Sequence, residues 1–281
     1  MSIDKIRAYW NQRPCNIRHS PVDIDRDPLT YSRQVSRRKL FVEPHIWTHA
    51  EPPLWAGAYV LDLGCGIGTQ AILFAKAGAE VLAVDLSQKS LEIARKRVFA
   101  EGLENHITLL CEDIEQPWAW LPLYAQRDFD LVYSFGVLHH TPHARWALYG
   151  LQSWMTKESE LRIMVYNRFS WKALWIMLTY GKGRFWRWAK LIAEHSEAQT
   201  GCPYTQTYTP GSIRRMLAHA GYEAVSVTKD HIFPYQIEEY KQYRYVLEPF
   251  WNKVPSWLFR WLEHRFGWHL LVQAKPKEYQ C

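Results

Sequence analysis

The sequence predicts an α/β fold organised on a doubly wound parallel sheet, and three observations carry that expectation. Val60-Leu61-Asp62-Leu63 is a short apolar run that reads as a buried parallel strand. It runs into Gly64-Cys65-Gly66-Ile67-Gly68-Thr69-Gln70, a glycine turn that can pass close under a ligand and open a helix. Then Glu80-Val81-Leu82-Ala83-Val84-Asp85 forms a second apolar run ending in an acid, which completes one βαβ unit of a nucleotide-binding sheet.

The remaining elements follow in order. A short helix is expected over Ile3 to Trp10, broken by Pro14, and the donor-rich stretch behind it contains Arg13, Arg18 and His19. That arm reads as a polar tail or as a lid whose forked guanidinium donors clamp a carboxylate or phosphate. A Pro-interrupted linker, a helix from Ser32 to Leu40 and a loop rich in Pro and His fill the stretch to residue 54. After the glycine turn a helix spans Thr69 to Ala77 and stops at Gly78. Ser87 caps the next helix, which shows Leu91, Ala94 and Val98 on one face and ends at Gly102. Ile107 to Leu110 gives a third strand, Asp128 to Ser134 a fourth, and Glu160 to Tyr166 a fifth, with a helix starting at Pro142 between the last two. Strand alternating with helix means right-handed crossovers and a parallel sheet. Ser170 to Leu178 reads as a very apolar helix, followed by the aromatic run 184–188. Thr209 caps a helix with Pro210 at its first position, Gly221 stops it, and Ala224 to Val227 is the sixth strand. A long aromatic insertion, 229–266, precedes the last strand, Gly267 to Ala274.

The glycine spacing is informative. A dinucleotide fingerprint would read G-x-G-x-x-G, and Thr69 breaks it. The chain carries D-x-G-x-G-x-G over 62–68, Asp85 after the second strand, Cys111-Glu112-Asp113-Ile114 after the third, and Phe129 to His140 at the fourth. Together these resemble the class I S-adenosylmethionine (SAM)-dependent methyltransferases, and the last run is similar to the quinone-biosynthesis branch. The resemblance covers residues 55–170 well and the tail loosely. It implies a Rossmann-like methyltransferase sheet of seven mostly parallel strands, the last turned antiparallel, with the aromatic-rich insertions forming a substrate lid. The corresponding organisation is an N-terminal arm and lid over 1–54, a SAM-binding core over 55–170, an aromatic helical insertion over 171–208, and a C-terminal part over 209–281.

That resemblance also implies site residues. Asp62, Gly64, Cys65, Gly66 and Gly68 would surround the methionyl end of SAM. Asp85 would take the ribose hydroxyls through its two acceptor oxygens, with Leu86 beside the adenine. Asp113 would accept from the adenine amine, Ile114 would lie against the ring, and Phe135 would complete the cradle. Methyl transfer needs the nucleophile in line and water excluded. A hydroxyl acceptor also needs a base titrating near neutrality, which points to His140, or to its neighbour His139. Tyr166, Asn167 and Arg168, at the carboxyl end of the fifth strand, join Arg13, Arg18 and His19 as expected substrate contacts. His139, His140 and His143 lack the carboxylate or cysteine that would complete a metal set.

Composition narrows the class. With 281 residues and a formal charge of +6, the chain is long enough for a large core and too weakly basic for a dedicated nucleic-acid footprint. Five widely spaced cysteines without a C-x-x-C pair fit a reducing compartment, hence a cytoplasmic setting. No apolar run approaches the roughly 20 residues of a membrane span. The Trp- and Arg-rich stretch 171–208 is read first as packed helices roofing the substrate, and second as a surface for peripheral membrane contact. The expected function is transfer of a methyl group from SAM to an oxygen or nitrogen of a small molecule such as a sugar or glycan precursor, a phenol or a secondary metabolite. The basic residues would tolerate an anionic group on the acceptor. An RNA methyltransferase and a non-catalytic SAM-binding protein are the alternatives.

Overall fold

The computed structural model describes residues 3–196 and 202–277. Residues 197–201 of the expected aromatic insertion, and Cys281, lie outside them.

Seven strands form one sheet: β1 (Tyr59–Leu63), β2 (Glu80–Asp85), β3 (Ile107–Cys111), β4 (Phe129–Phe135), β5 (Met155–Tyr166), β6 (Tyr222–Asp230) and β7 (His269–Pro276). Their order is β3-β2-β1-β4-β5-β7-β6. The first five pair in parallel, and β7 enters antiparallel between β5 and β6. The chain therefore has the expected doubly wound sheet of seven mostly parallel strands. Its strand order reverses direction between β1 and β4, which opens a crevice above the carboxyl ends of those strands.

Twelve helices surround it among the described residues. The arm supplies α1 (Ile3–Gln12), α2 (Pro28–Val42) and α3 (His45–Ala50). The sheet crossovers supply α4 (Thr69–Lys76), α5 (Gln88–Ala100), α6 (Pro117–Tyr124) and α7 (Ala144–Leu151). The tail supplies α8 (Trp171–Tyr180), α9 (Trp188–His195), α10 (Pro210–His219), α11 (Ile237–Lys241) and α12 (Ser256–Phe266).

Alternation along the strands gives the sheet two apolar faces. Leu61, Leu63, Leu82, Val132 and Ile163 pack with Trp120 of α6, Leu148 of α7 and Leu217 of α10. On the opposite face Val60, Val81, Ala83 and Tyr133 pack with Phe74 of α4 and Leu91 and Val98 of α5. A smaller cluster seats α8 and α9 on the end of β5 and β7 through Ile176, Met177, Leu191 and Trp268. Those helices pack as a pair, while Trp175, Leu178 and Trp186 stay exposed on the outer side. No helix of the described residues is long and apolar enough to cross a membrane.

Some boundaries differ from expectation for physical reasons. The fifth strand begins at Met155, before the polar run 156–160, because Met155 pairs with Phe129 ahead of an irregularity that resets the register at Leu131 and Glu160. No helix begins at Pro142. The chain makes a 3₁₀ turn over Leu138–His140, Thr141 is extended as a residue before proline prefers, and α7 starts at Ala144. The insertion over 229–266 is not featureless, since it contains α11 and α12.

Candidate active site

The glycine turn is held from below by the end of β2. The amides of Gly64 and Cys65 both donate to the Val84 carbonyl, at 2.7 and 3.0 Å. The Gly66 amide donates to Asp85 Oδ2 and the Ser87 amide to Asp85 Oδ1, each at 2.8 Å. Gly64, Gly66 and Gly68 take φ of +74°, +55° and +79°, the left-handed region that an L side chain resists. A Cβ on Gly66 would meet nothing within 4 Å, so its exposed side faces open space. Gly68 ends the turn as the residue before α4.

Asp62, one residue before the end of β1, is 2% exposed, with Oδ2 buried and without a partner. Burial, with the Asp85 charge adding, pushes its carboxyl up to about 7. Burial also raises Asp85, against the amides of Ser87 and Gly66 that favour its charged form. Cys65 is buried in the turn, where burial and the Asp85 and Asp62 charges push its thiol well up, so it packs as an inert thiol.

An arginine secures the turn from behind. Arg97 is fully buried on α5; its Nη1 donates to the Ile67 carbonyl at 2.6 Å and to Thr69 Oγ1 at 2.9 Å, and its Nη2 to Ser36 Oγ at 2.8 Å. Burial lowers it only to about 10, so it is charged at neutrality. Its sequence signal is a charge on the face that Leu91, Ala94 and Val98 mark as apolar.

At the next strand ends, Leu86 is half-buried and Ile114 buried. Asp113 is half-buried; its Oδ1 accepts from the Glu115 amide at 2.9 Å. The arm lies over this region. Ser87 Oγ donates to the Trp10 carbonyl at 3.2 Å and to Asn11 Oδ1 at 3.0 Å, while the Trp10 ring meets the His140 ring at 5.2 Å between centroids. The end of α1 thus spans from β2 to the end of β4.

Beyond β4 the two histidines sit side by side, His139 fully buried and His140 nearly so. Residues 202–208 cross over them as a strap. The Gln206 amide donates to the His139 carbonyl at 2.8 Å, and the Tyr208 amide to the Tyr166 carbonyl at 2.8 Å. His140 Nδ1 lies 2.9 Å from the Tyr204 carbonyl, 3.2 Å from Thr205 Oγ1 and 3.4 Å from Cys202 Sγ. A carbonyl can only accept, so Nδ1 carries a proton directed at the Tyr204 carbonyl. The His139 ring lies on Tyr166, at 3.6 Å between centroids, and Tyr166 on Trp268 at 4.2 Å. A cavity of about 480 Å³ opens between α9 and the strap, bordered by Cys202, Tyr204 and Thr205.

Asn167 is buried and donates to the carbonyls of Gly267 and Phe169, at 2.8 and 3.1 Å, which ties β5 to the start of β7. Arg168 is exposed and its Nη2 holds the strap through the Thr207 carbonyl at 3.1 Å. Arg13 lies over the Tyr9 ring, Arg18 is exposed, and His19 turns inward to bond Tyr240 through Nε2 at 3.1 Å. Of the six expected substrate contacts, Tyr166 lies against His139, while His19 joins a second group further along the crevice.

That second group surrounds Phe135, and no local motif marks it in the sequence. Lys39 Nζ lies 6.0 Å from the Phe135 ring centroid, and the rings of His45 and His269 lie 5.8 and 5.7 Å from it. His231 stacks on His269 at 4.6 Å. Burial works against a charge on Glu43, but the Lys39 ammonium and neighbouring imidazoles outweigh it and hold the carboxyl at about 2. Burial keeps the imidazoles neutral, lowering His45 to about 3 and His231 to about 4. Glu43, His45 and His269 bring three donor atoms within 4.8 Å of one another. Glu43 Oε1 is engaged by Lys39, and His45 Nε2 and His269 Nδ1 lie 2.8 Å apart, while Glu43 Oε2 and His45 Nδ1 are buried without a hydrogen-bond partner.

Comparison with known proteins agrees with this geometry. The family described as "Methyltransferase domain" matches residues 60–155. The chain is 40% identical over 88 residues to methyltransferase GfsG of Streptomyces halstedii, covering 31% of this chain and 30% of that protein. It is 38% identical over 86 residues to a ubiquinone biosynthesis O-methyltransferase of Coxiella burnetii, covering 31% and 34%. The matched stretch thus spans about a third of these curated relatives. Magnesium protoporphyrin IX methyltransferase from Synechocystis, solved with bound SAH, shares the fold at a TM-score of 0.59 and 17% identity, over 98% of this chain and 100% of that one. The glycine turn, the acid at the end of β2, the strand order and the matched segment agree, and residues 60–155 are a methyltransferase domain.

Proposed function

We propose that the protein binds SAM in the cradle between Asp62 and Ile114 and methylates an oxygen or nitrogen of a small molecule held above β4 and β5. The reading is carried by the clamp in which Gly66, Asp85 and Ser87 fix one another. Each Asp85 oxygen accepts one amide and keeps another acceptor direction for a ribose hydroxyl. The buried, unpartnered Asp62 Oδ2 fits the amino group of a methionyl end, and the open space over Gly66 admits a ligand against bare backbone. The bound donor supplies an electrophilic methyl group on its sulfonium.

The chain's own residues do the rest. Trp10 and the strap exclude water from the strand ends, which favours direct attack by the acceptor over hydrolysis. Tyr204 and Thr205 fix the His140 ring so that Nε2 is its basic atom, the arrangement of a general base. His139 packs under Tyr166 and positions that wall. An acceptor site walled by buried rings suits a compact molecule.

Calorimetry with S-adenosylhomocysteine (SAH), the demethylated product, tests the donor side. The intact protein is expected to bind it, and Asp85→Ala to weaken binding roughly 100-fold through loss of two charge-assisted hydrogen bonds. No heat with the intact protein, or equal affinity for the variant, overturns the reading. His140→Asn is expected to lower methyl transfer from radiolabelled SAM into fractionated extract by roughly 100-fold, with SAH affinity unchanged. Undiminished turnover would assign the proton to the acceptor's own acidity.

A further inference from the structure

The buried face of α2 reads Tyr31, Val35, Arg38, Val42, an apolar stripe with one charge set into it. Arg38 is 5% exposed. Its guanidinium lies between the rings of Tyr240 and Tyr243, at 4.1 and 4.2 Å from their centroids. Nη2 donates to the Tyr240 carbonyl, while Nε and Nη1 are buried with no partner. A buried guanidinium without a counter-charge is costly, and nearby carboxylates normally supply one. Here they are committed elsewhere: Glu43 to Lys39, Glu238 to Lys241 and Glu239 to Arg244.

A second orphaned donor flanks the same ring. Tyr240 Oη and His19 Nε2 lie 3.1 Å apart and Nδ1 is buried without a partner; with the hydroxyl donating, Nδ1 carries the ring's proton. Lys39, the next residue along α2, reaches toward Phe135 at the end of β4. Lys39, whose charge acts on His19, links this group to Phe135, one of the residues expected to line the donor cradle.

We propose that Arg38 and His19, framed by Tyr240 and Tyr243, form the seat for an anionic group of the methyl acceptor, a carboxylate or a phosphate. The forked guanidinium offers two parallel donors to either anion, and Nδ1–H of His19 offers a third. This rests on the methyltransferase reading for what the anion is attached to, but not for the binding itself.

The test uses the intact chain saturated with SAH, at constant ionic strength, with benzoate, phenyl phosphate, inorganic phosphate and neutral benzamide as probes in calorimetry and thermal unfolding. Benzoate or phenyl phosphate is expected to bind at millimolar concentration or below and to raise the unfolding temperature, and benzamide to do neither. The tighter of the two names the anion, and binding of inorganic phosphate alone would show that the seat also takes the free ion. Arg38→Gln is expected to weaken the anionic probes at least tenfold while SAH affinity stays unchanged. His19→Gln, a milder change that serves if Arg38→Gln does not fold, should weaken them several-fold. The inference is overturned if no anion binds, if benzamide binds as well as benzoate, or if the folded variants bind the anions like the parent. Unchanged SAH binding in every arm keeps a failure here separate from a failure of the donor site.

Discussion

Gly64→Ala is expected to cost the protein both stability and donor binding. Gly64 has φ +74°, where an alanine is strained by about 1–2 kcal/mol. A Cβ there would stand 2.2 Å from Val137 Cγ2 and 2.6 Å from Cγ1, and Val137 is β-branched and stiff at χ1. Overpacking of this kind costs about 1–3 kcal/mol more. Together the terms correspond to a fall in unfolding temperature of roughly 10 °C. Gly66→Ala is the control. Its Cβ meets nothing, so the stability loss should be only about 1 kcal/mol, while the methyl group intrudes on the ligand's space and weakens SAH binding. Thermal unfolding and calorimetry on both variants separate the effects. Equal stability of Gly64→Ala and the parent would mean that the loop does not pack on Val137 as described.

A steep loss of stability below pH 6.5 is the second large expectation. Burial holds His19, His45 and His49 at about 3, His231 at about 4 and His269 well below its ordinary value. Above pH 6.5 these histidines are neutral in both states and titration adds nothing. As pH falls through 6.5 the unfolded chain takes protons that the folded chain refuses, so each histidine withdraws about 1.4 kcal/mol per pH unit until its folded value is reached. Asp62 works the other way. With its folded value raised to about 7, the folded state holds a proton that the unfolded state releases above pH 4, which offsets one histidine. Four uncompensated histidines give roughly 5 kcal/mol per pH unit, comparable to the whole stability of an ordinary domain. The carboxyls of Asp85, Asp230 and Glu263, each raised by burial, act in the same sense as Asp62 and soften the slope toward acid pH. Urea unfolding at pH 7.5, 6.5 and 5.5 measures this. His49→Gln should flatten the slope by about one proton, or ~1.4 kcal/mol per unit. An unfolding midpoint that does not move between pH 7.5 and 5.5 would contradict the buried, neutral state of these rings.

How legible the protein is from its sequence depends on how local each signal is. The proposed donor cradle is written in short stretches: an apolar strand, its glycine turn and an acid 23 residues after Asp62 stay together because β1 and β2 are neighbours in the sheet. The histidine group around Phe135 is not. Lys39, Glu43 and His45 come from the arm, His231 follows β6 and His269 opens β7, and each alone reads as a loop or surface residue. Only the antiparallel register that sets His269 beside Asp230 and Tyr166 brings them together. Helices were legible where polar and apolar faces alternate, as in α5 and α10. They were not in α6, which is apolar on every side and has Pro122 inside it, or where the helix is as short as α3 and α11, although Ser170 marks the start of the similarly apolar α8.

The placement of β7 has a consequence for how the molecule is made. Among the strands β6 bonds only to β7, so it has no ladder partner until the final strand has been synthesised. The same event delivers His269 to its neighbours and lays Trp268 under Tyr166. On the ribosome the half that carries the glycine turn can therefore assemble early, while the half built around His231 and His269 waits for β7 to emerge.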